Sequence, residues 1–418
     1  MPNETHSNPI ADALVLVFAT GTSAKSWQSA GILSREWHLY AGLLPHFRQL
    51  VLITADASTP AENLAAIAAI AAPGTTNRLR VVSAANEPSL FSTELRAAVA
   101  GCRSAVIKSP LDRGGEVGLH IARSLRKAGL AVGLIARGGL LWSKFVAHEH
   151  GPHSLAHNEV AAIEGRLCQG ADVVVGTTQD MIDDLSWRYH LPPGKGRVIP
   201  NYVSNGVLNN VLSDAVSSDD DHAAPRREPS TIFYAGPLIA RKRIELLIES
   251  LALLSDEKRA TTTLELAGTG PEQTRLEALA HDRAVTARFM GRLPHNQLLA
   301  RMALATIYVQ CSELEGHSKS VIEAMAQGMA VIVADAPGLS DIVTHGVSGL
   351  RVSADPQALA HAINGLLDDP DWRETLGATA ARVSHASYAL PLVLAREAEA
   401  HRLAMRLGAA RPSAEQAA

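Results

Sequence analysis

Two glutamates that bracket seven residues stand between an apolar run and a helical pattern. Glu315 follows the run TIYVQC, Gly316 comes next, and Glu323 lies in SVIEAMAQ. Glycine lets the backbone turn sharply, and the first amides of a helix have no partner inside the helix. Such amides can hold an anion such as a diphosphate. The segment therefore predicts an anion site on the backbone amides of His317, Ser318, Lys319 and Ser320.

The two carboxylates add a second kind of chemistry to this segment. Glu323 would lie one turn inside the helix, where its carboxylate can accept two hydrogen bonds from ribose hydroxyls beside the diphosphate. Glu315 would end a strand and face the crevice in which ligands collect in open α/β sheets. Spacing alone also allows two ordinary acids stabilised by a helix dipole.

The surrounding residues resemble the signature of the family-four retaining glycosyltransferases. In that family the second glutamate is followed by Ala-Met-Ala, as Glu323 is here, and the resemblance runs from about Tyr234 to Val352. Asp341 stands where the family usually has Glu. The resemblance implies an α/β protein of GT-B type: two Rossmann-like, doubly wound parallel-sheet domains facing a central cleft. It also implies retention at the anomeric carbon.

A basic loop in the segment YAGPLIARKRIELL resembles the family's diphosphate loop, in which an Arg follows Gly and a Lys comes five residues later. Lys242 matches, whereas Pro237 replaces the Arg. Arg241 and Arg243 adjoin Lys242, and either one could supply the missing charge or be solvated surface. The resemblance implies catalytic roles for Glu315 and Lys242. It implies donor binding by Gly236, Arg241, Arg243, Gly268, Gly270, Gly316, His317, Ser318, Lys319, Ser320 and Glu323.

The N-terminal half matches the family only in its general pattern. Loops in FATGTSAKSW and ARGGLLWSKF each follow an apolar run, and the run SAVIKS ends near a lysine. In a GT-B arrangement these positions would face an acceptor. The residues expected on the acceptor side are Gly21, Thr22, Lys108, Arg137 and Gly138.

Short apolar runs that alternate with helical patterns must position these residues. This βα alternation predicts parallel sheets covered by helices. The predicted domains are an acceptor domain at 1–205, a flexible linker at 206–230 and a donor domain at 231–384. A last amphipathic helix within 385–410, after the break SHASYALP, is expected to pack back on the first domain.

Composition excludes several other classes of protein. The net charge of −4 and pI near 6.5 argue against a nucleic-acid partner. Three cysteines without ligand spacing suit a reducing compartment. We expect no cofactor and no metal, since Asp219, Asp220 and Asp221 are more simply solvated charge. The expected location is the cytoplasm or the inner face of its membrane. The basic helix IARSLRKAG leaves open peripheral contact with a lipid carrier or plain exposure to solvent.

The predicted function is metal-independent transfer of a hexosyl or N-acetylhexosaminyl group from a UDP or GDP sugar. The acceptor would be a hydroxyl of a glycan, a lipid-linked molecule or a small molecule. One alternative is a nucleotide-sugar epimerase of the same architecture. Another is a non-catalytic nucleotide-sugar-binding protein, in which Pro237 has removed turnover. A nicotinamide dehydrogenase is disfavoured because no Gly-x-Gly-x-x-Gly follows the first strand.

Overall fold

The computed structural model describes residues 9–85, 88–204 and 230–411. Nearly all of the predicted linker 206–230, including its acidic run, therefore lies outside the described residues. The chain divides into two compact units. The N-terminal unit combines Met1–Ile199 with Val393–Ala418, and the C-terminal unit is Pro200–Leu392.

The N-terminal unit contains a parallel seven-stranded sheet in the order β3-β2-β1-β4-β5-β6-β7. Its strands are β1 Ala11–Val17, β2 Phe47–Thr54, β3 Leu79–Ser83, β4 Ser104–Pro110, β5 Ala131–Arg137, β6 Val173–Gly176 and β7 Gly196–Val198. Its helices are Ala24–Ser29, Leu33–Leu43, Pro60–Ala68, Pro88–Ala98, Gly114–Lys127, Trp142–His150, Leu155–Gly170 and Gln179–Tyr189, with 3-10 turns at Leu44–His46 and Thr75–Arg78.

The C-terminal unit contains a parallel six-stranded sheet in the order β10-β9-β8-β11-β12-β13. Its strands are β8 Thr231–Ala235, β9 Thr263–Ala267, β10 Ala287–Gly291, β11 Ile307–Gln310, β12 Ala330–Ala334 and β13 Leu350–Val352. Its helices are Ile244–Ala252, Asp256–Thr261, Gln273–Asp282, His295–Leu304, Lys319–Ala326, Pro356–Asp368 and Pro370–Tyr388, with a 3-10 turn at Ala240–Lys242.

Local sequence explains these elements. Strands β1 and β12 are buried along their whole length, which parallel strands require when helices cover both faces of the sheet. Helix starts carry their own signals: Thr59 and Glu62 form a capping box around Pro60, and the Asp355 side chain accepts from the Ala358 amide at 2.8 Å.

Both sheets reverse their strand order at one point, between β1 and β4 in the first and between β8 and β11 in the second. In open α/β sheets ligands bind outside the carboxyl ends of the strands at such a point. The loops that follow β8 and β11, with the helix after β11, contain most of the predicted donor residues, and Gly268 and Gly270 follow β9. The loops that follow β1, β4 and β5 contain most of the predicted acceptor residues.

The end of the chain differs from the prediction in one respect. SHASYALP was expected to break the helical pattern, but helix Pro370–Tyr388 continues through its first five residues. Only Ala389 separates it from the last helix, Leu390–Ala409. The Val203 amide donates to Tyr388 O at 2.9 Å, and the Leu390 amide donates to Val203 O at 3.2 Å. Small Ala and Ser side chains tolerate a helix, and Pro391 is accommodated in its first turn.

Among the described residues, no helix combines the length and apolarity that crossing a membrane would need. The residues of the last helix from Val393 onward cluster with the N-terminal unit.

Candidate functional site

A lysine and a glutamate meet outside the carboxyl ends of β8 and β11. Lys242 ends the 3-10 turn that follows β8, and its Nζ donates to Oε1 of Glu315, which follows β11. Burial lowers the pKa of Lys242, and the adjacent carboxylate opposes that shift. Arg241 donates to Leu314 O and lies 3.8 Å from Glu315 Oε2. Two cations thus share one carboxylate at this point.

A chain of buried polar groups lies behind this ion pair. Gln310 Nε2 donates to Glu315 Oε1 at 2.9 Å. The Tyr308 hydroxyl lies 2.8 Å from both Gln310 Oε1 and Ser320 Oγ. Burial raises the pKa of Tyr308, so its hydroxyl stays neutral. The chain of Glu315, Gln310, Tyr308 and Ser320 therefore connects the Glu315 carboxylate to the start of the next helix.

Ser318 is the N-cap of helix Lys319–Ala326. The helix therefore begins within the segment in which the sequence predicts its first amides. The Ser318 side chain makes no capping hydrogen bond to this helix and lies 3.2 Å from Ser320 Oγ. The helix start therefore keeps the electrostatic character that attracts anions. Glu323 is 2% exposed, and its Oε1 lies 2.9 Å from His295 Nε2. The pair fixes the carboxylate one turn inside the helix.

Glycines in the loops after β8 and β9 allow two backbones to approach closely. A Cβ at Gly268 would lie 1.8 Å from Gly236 O, and one at Gly270 would lie 2.1 Å from Leu238 O. The close approach permits a hydrogen bond from the Leu238 amide to Thr269 O at 3.0 Å. Gly268 and Gly270 thus shape the loop that leads to Lys242.

The two arginines beside Lys242 have different surroundings. Arg243 has a left-handed backbone (φ 51°) between the 3-10 turn and the next helix. Its Nε lies 3.4 Å from Glu245 and its Nη1 lies 3.3 Å from Glu313. Arg241 is the one that lies beside Glu315. The neighbours of Lys242 are therefore not equivalent, which the sequence alone did not reveal.

Several contributors to this site were missed in the sequence. Gln310 had a visible signal in the sequence, because a polar residue ends the apolar run IYVQ. The structure shows that this residue is fully buried. His295 lies 28 residues from Glu323 and gave no local signal. Asn201 lies far from the donor segment in the sequence, and its Nδ2 donates to His317 O at 2.7 Å. Tyr202 lies under Lys319, with Nζ 5.7 Å from the ring centroid.

A pocket of about 550 Å³ lies in the N-terminal unit outside the carboxyl ends of β1, β4 and β5. Its lining comes from the loops after these strands and consists of Thr20, Pro110, Leu111, Asp112, Arg113, Arg137, Gly138, Gly139, Leu140 and Trp142. Of the residues expected on the acceptor side, Arg137 and Gly138 line this pocket. Gly21 and Thr22 instead build the neighbouring turn, in which the Thr22 hydroxyl donates to Ala19 O at 2.7 Å.

Lys108 does not lie on the acceptor side, contrary to the prediction. Its side chain is 3% exposed, and its Nζ donates at 2.8 Å to Glu397 of the last helix. Burial lowers the pKa of Lys108 to about 8. Burial alone would raise the pKa of Glu397, but the charges of Lys108 and Arg137 lower it to about 2. The lysine that ends SAVIKS is therefore part of the core.

Among the described residues, no group of three or more His, Cys, Asp and Glu side chains is arranged to hold a metal ion. The positive groups near Glu315 are Lys242 and Arg241.

Parts of the chain are similar to a known protein family and to curated proteins. Residues 217–383 match the family model described as "Glycosyl transferases group 1". The chain is 29% identical over 232 residues to glycogen synthase of Mycobacterium tuberculosis, covering 54% of this chain and 53% of that protein. The chain thus spans about half the length of this curated relative. The family match confirms the resemblance stated from the sequence.

Solved structures extend the similarity of fold to nearly the whole chain. The sucrose-phosphate synthase of Thermosynechococcus elongatus aligns with a TM-score of 0.67 and 19% identity, covering 93% of this chain and 98% of that one. HepE of Anabaena in complex with UDP aligns with a TM-score of 0.65 and 16% identity, with the same coverage. These alignments confirm the predicted fold class, two Rossmann-like units of GT-B type.

Proposed function

From the match of residues 217–383 to glycosyl transferases group 1, we propose that this protein transfers a sugar from a nucleoside-diphosphate sugar to an acceptor hydroxyl. The observation that carries the proposal is the arrangement outside β8 and β11. There two cations, a carboxylate and an uncapped helix start lie together at the point where strand order reverses. Each of these groups is proposed to bind or stabilise one part of the sugar donor.

The donor diphosphate is held by the amides of His317 to Ser320 and by Lys242. Transfer breaks the bond between the anomeric carbon and the diphosphate oxygen, so negative charge grows on the departing phosphate. Preorganised positive groups stabilise charge where it develops. Lys242 and Arg241 supply that charge from the protein, and the proposal requires no metal or cofactor. Arg241 takes the role of the Arg that Pro237 replaces.

The two glutamates bind the rest of the donor. Glu323, fixed by His295 at 2.9 Å, accepts hydrogen bonds from the ribose hydroxyls. Glu315 leaves its pairing with Lys242 when the diphosphate arrives, and its carboxylate then accepts hydroxyls of the sugar. Gln310 keeps it in place throughout, since their contact at 2.9 Å does not involve Lys242.

Retention of the anomeric configuration is proposed on the basis of the family resemblance. The acceptor oxygen bonds to the anomeric carbon on the face from which the diphosphate leaves, and its proton passes to the departing phosphate oxygen. The donor nucleotide is proposed to be UDP, because the structural neighbour HepE was solved with UDP. The transferred group is proposed to be a hexosyl or N-acetylhexosaminyl unit.

The first experiment is calorimetric titration of the full chain with UDP, GDP and ADP. UDP is expected to bind, and Glu323→Ala is expected to weaken it roughly 10- to 100-fold, the equivalent of one or two hydrogen bonds to a charged group. Glu277→Ala removes an exposed glutamate of another helix and serves as the control. Failure of every nucleotide to bind would contradict the proposal, and tighter binding of GDP would overturn only the choice of base.

A second measurement separates transfer from its rivals. UDP-glucose and UDP-N-acetylglucosamine are incubated with the protein and an acceptor panel, and products are examined by NMR. A glycoside with the donor's anomeric configuration supports retaining transfer. Epimerised sugar without a glycoside indicates an epimerase. Binding of nucleotide without any turnover of the donor indicates a non-catalytic protein in which Arg241 does not replace the missing Arg.

A further inference from the structure

The pocket in the N-terminal unit has the size and position of a small-molecule site. Its volume of about 550 Å³ falls within the range of roughly 300–1,000 Å³ that such sites occupy. It lies where strand order reverses between β1 and β4, outside the carboxyl ends of the strands. One wall is apolar, formed by Leu111, Leu140 and the half-buried Trp142.

Arg137 brings positive charge to this pocket from a buried cluster. Its Nη1 donates to Glu397 Oε1 at 3.0 Å, while Lys108 donates to the other oxygen at 2.8 Å. Burial lowers the pKa of His401, the next neighbour of Glu397, to about 4, so that it is neutral at pH 7. Two cations and one carboxylate leave a net charge of about +1 in a poorly solvated place.

The nearby acids do not cancel this charge. The negative charge of Glu36 contributes only a small rise to the pKa of Lys108. Glu36 Oε1 lies 3.2 Å from Nε of its partner, Arg35. Asp112 lines the pocket, but one of its oxygens accepts from the Gly114 amide at 2.7 Å at the start of helix Gly114–Lys127. The helix start therefore offsets part of its charge, while burial raises the pKa of Asp112. Arg113 at the rim is paired with the exposed Glu159 at 2.7 Å.

Arg137 is the member of this cluster that lines the pocket. Its side chain is 16% exposed, whereas the side chains of Lys108 and Glu397 are 3% and 1% exposed. Within the described residues, the hydrogen bond of the Arg137 side chain is donated by Nη1. A guanidinium has five donor hydrogens in a planar fork. An oxyanion can therefore pair with its other edge without displacing Glu397.

We infer that this pocket binds the acceptor and that the acceptor carries an oxyanion, a phosphate or a carboxylate, which Arg137 receives. The ring of the acceptor lies against Trp142 and the leucine wall, and Asp112 accepts one of its hydroxyls. Planar, two-point recognition of phosphate or carboxylate is the chemistry that arginine supplies best. This inference rests on the proposed function, because it specifies the second substrate of that reaction.

The test uses the full chain saturated with UDP, so that anions cannot occupy the diphosphate site. Glucose, glucose 6-phosphate and glucuronate are titrated calorimetrically, since they share one ring and differ in charge. At least one anionic sugar is expected to bind roughly 10-fold or more tightly than glucose, as one charge-assisted contact provides. Which one it is distinguishes phosphate from carboxylate. Equal binding of all three, or no binding of any, overturns the inference.

Arg137→Gln tests the residue itself, with Arg166→Gln as a matched control at an exposed ion pair. Arg137→Gln is expected to abolish the preference for the anionic sugar while UDP binding in the other unit stays unchanged. A preference that survives in Arg137→Gln overturns the assignment. Because UDP binds in the other unit, a cooperative urea-unfolding transition like that of the parent chain shows that the N-terminal unit of the variant is folded. If the parent chain does not bind UDP, the proposed function fails, and the preference among sugars still decides this pocket.

Discussion

The two units share the same order over six strands but place their cations differently. In the C-terminal unit Lys242 and Arg241 stand at the crevice, in loops after β8, and share the carboxylate of Glu315. In the N-terminal unit Lys108 lies within β4 and is buried against Glu397, and Arg137 is the member of this triad that lines the pocket. The same strand order can therefore hold similar ion triads at the proposed donor site or within a buried core. The position of the lysine differs between the two units. Lys242 lies beyond the end of β8, whereas Lys108 lies inside β4.

The largest expected effect comes from removing the carboxylate of the buried triad. Glu397→Gln leaves Lys108 and Arg137 close together without a counter-charge, and breaking a buried pair costs about 3–5 kcal/mol. Urea unfolding should show a loss of that size. The matched control is Glu116→Gln, whose exposed pair with Arg166 should change stability by less than about 1 kcal/mol. Equal losses in both variants would contradict the structural role of the triad.

Lys242→Ala tests the crevice in the same way. It removes a cation from the place where negative charge develops and should lower turnover about 100- to 1,000-fold, as loss of one electrostatic stabiliser does. Steady-state kinetics with the sugar donor identified by the NMR assay measures this effect. Lys258→Ala, at a surface pair with Asp368, should leave turnover unchanged. A loss below about 10-fold in Lys242→Ala would exclude it as a main stabiliser.

The two arginines beside Lys242 sharpen the comparison further. Arg241→Ala removes the cation beside Glu315 and should lower turnover about 10-fold, equivalent to about 1.4 kcal/mol. Arg243→Ala disrupts contacts with Glu245 and Glu313 and should lower it less than about 3-fold. The same kinetic assay compares them directly. If Arg243→Ala has the larger effect, Arg241 does not compensate for Pro237.

The smallest effect is a dependence of stability on pH that arises at His401, beside the buried triad. The folded-state pKa of His401 is about 4, lowered by burial from 6.5. The unfolded chain therefore binds the proton more strongly, so stability present above pH 6.5 is lost as pH falls toward 4. Between pH 7 and pH 5.5 this amounts to about 1 kcal/mol.

His401→Gln should remove that part of the loss, as measured by urea unfolding at the two pH values. Burial also lowers the pKa of His46, and its contribution remains in the variant. Glu397 behaves similarly in a lower window: its pKa of about 2 in place of 4.5 means stability present above pH 4.5 and lost as pH falls toward 2. An unchanged slope between pH 7 and 5.5 in His401→Gln would contradict this account.

The sequence predicted the fold class and the placement of the donor segment because their signals are local. Glu315, the turn at Gly316 and the start of helix Lys319–Ala326 lie within one short stretch, as does the apolar alternation of the strands. Lys108 was misplaced because its partner Glu397 lies 289 residues away. A lysine at a strand end looks the same in a sequence whether it faces solvent or a buried carboxylate.

Contacts between distant segments account for the other omissions. His295 meets Glu323 only after β11 and helix Lys319–Ala326 are in place. Gly268 and Gly270 were interpreted as donor-binding, and the structure gives them a role in backbone contact with the loop after β8. The continuation of helix Pro370–Tyr388 through SHASY reflects tertiary packing, since Ser384 donates to Ile322 O at 2.9 Å and a sequence pattern does not record that contact.

The order in which the chain is synthesised determines when the N-terminal unit can be completed, because this unit includes most of the last helix. Domains generally fold as they emerge from the ribosome, starting from the N-terminus. The N-terminal unit, however, takes its final residues from Val393 onward, after the whole C-terminal unit has been made. Until Glu397 emerges, Lys108 has no counter-charge in the interior it occupies. The first unit to be translated is therefore the last to be completed.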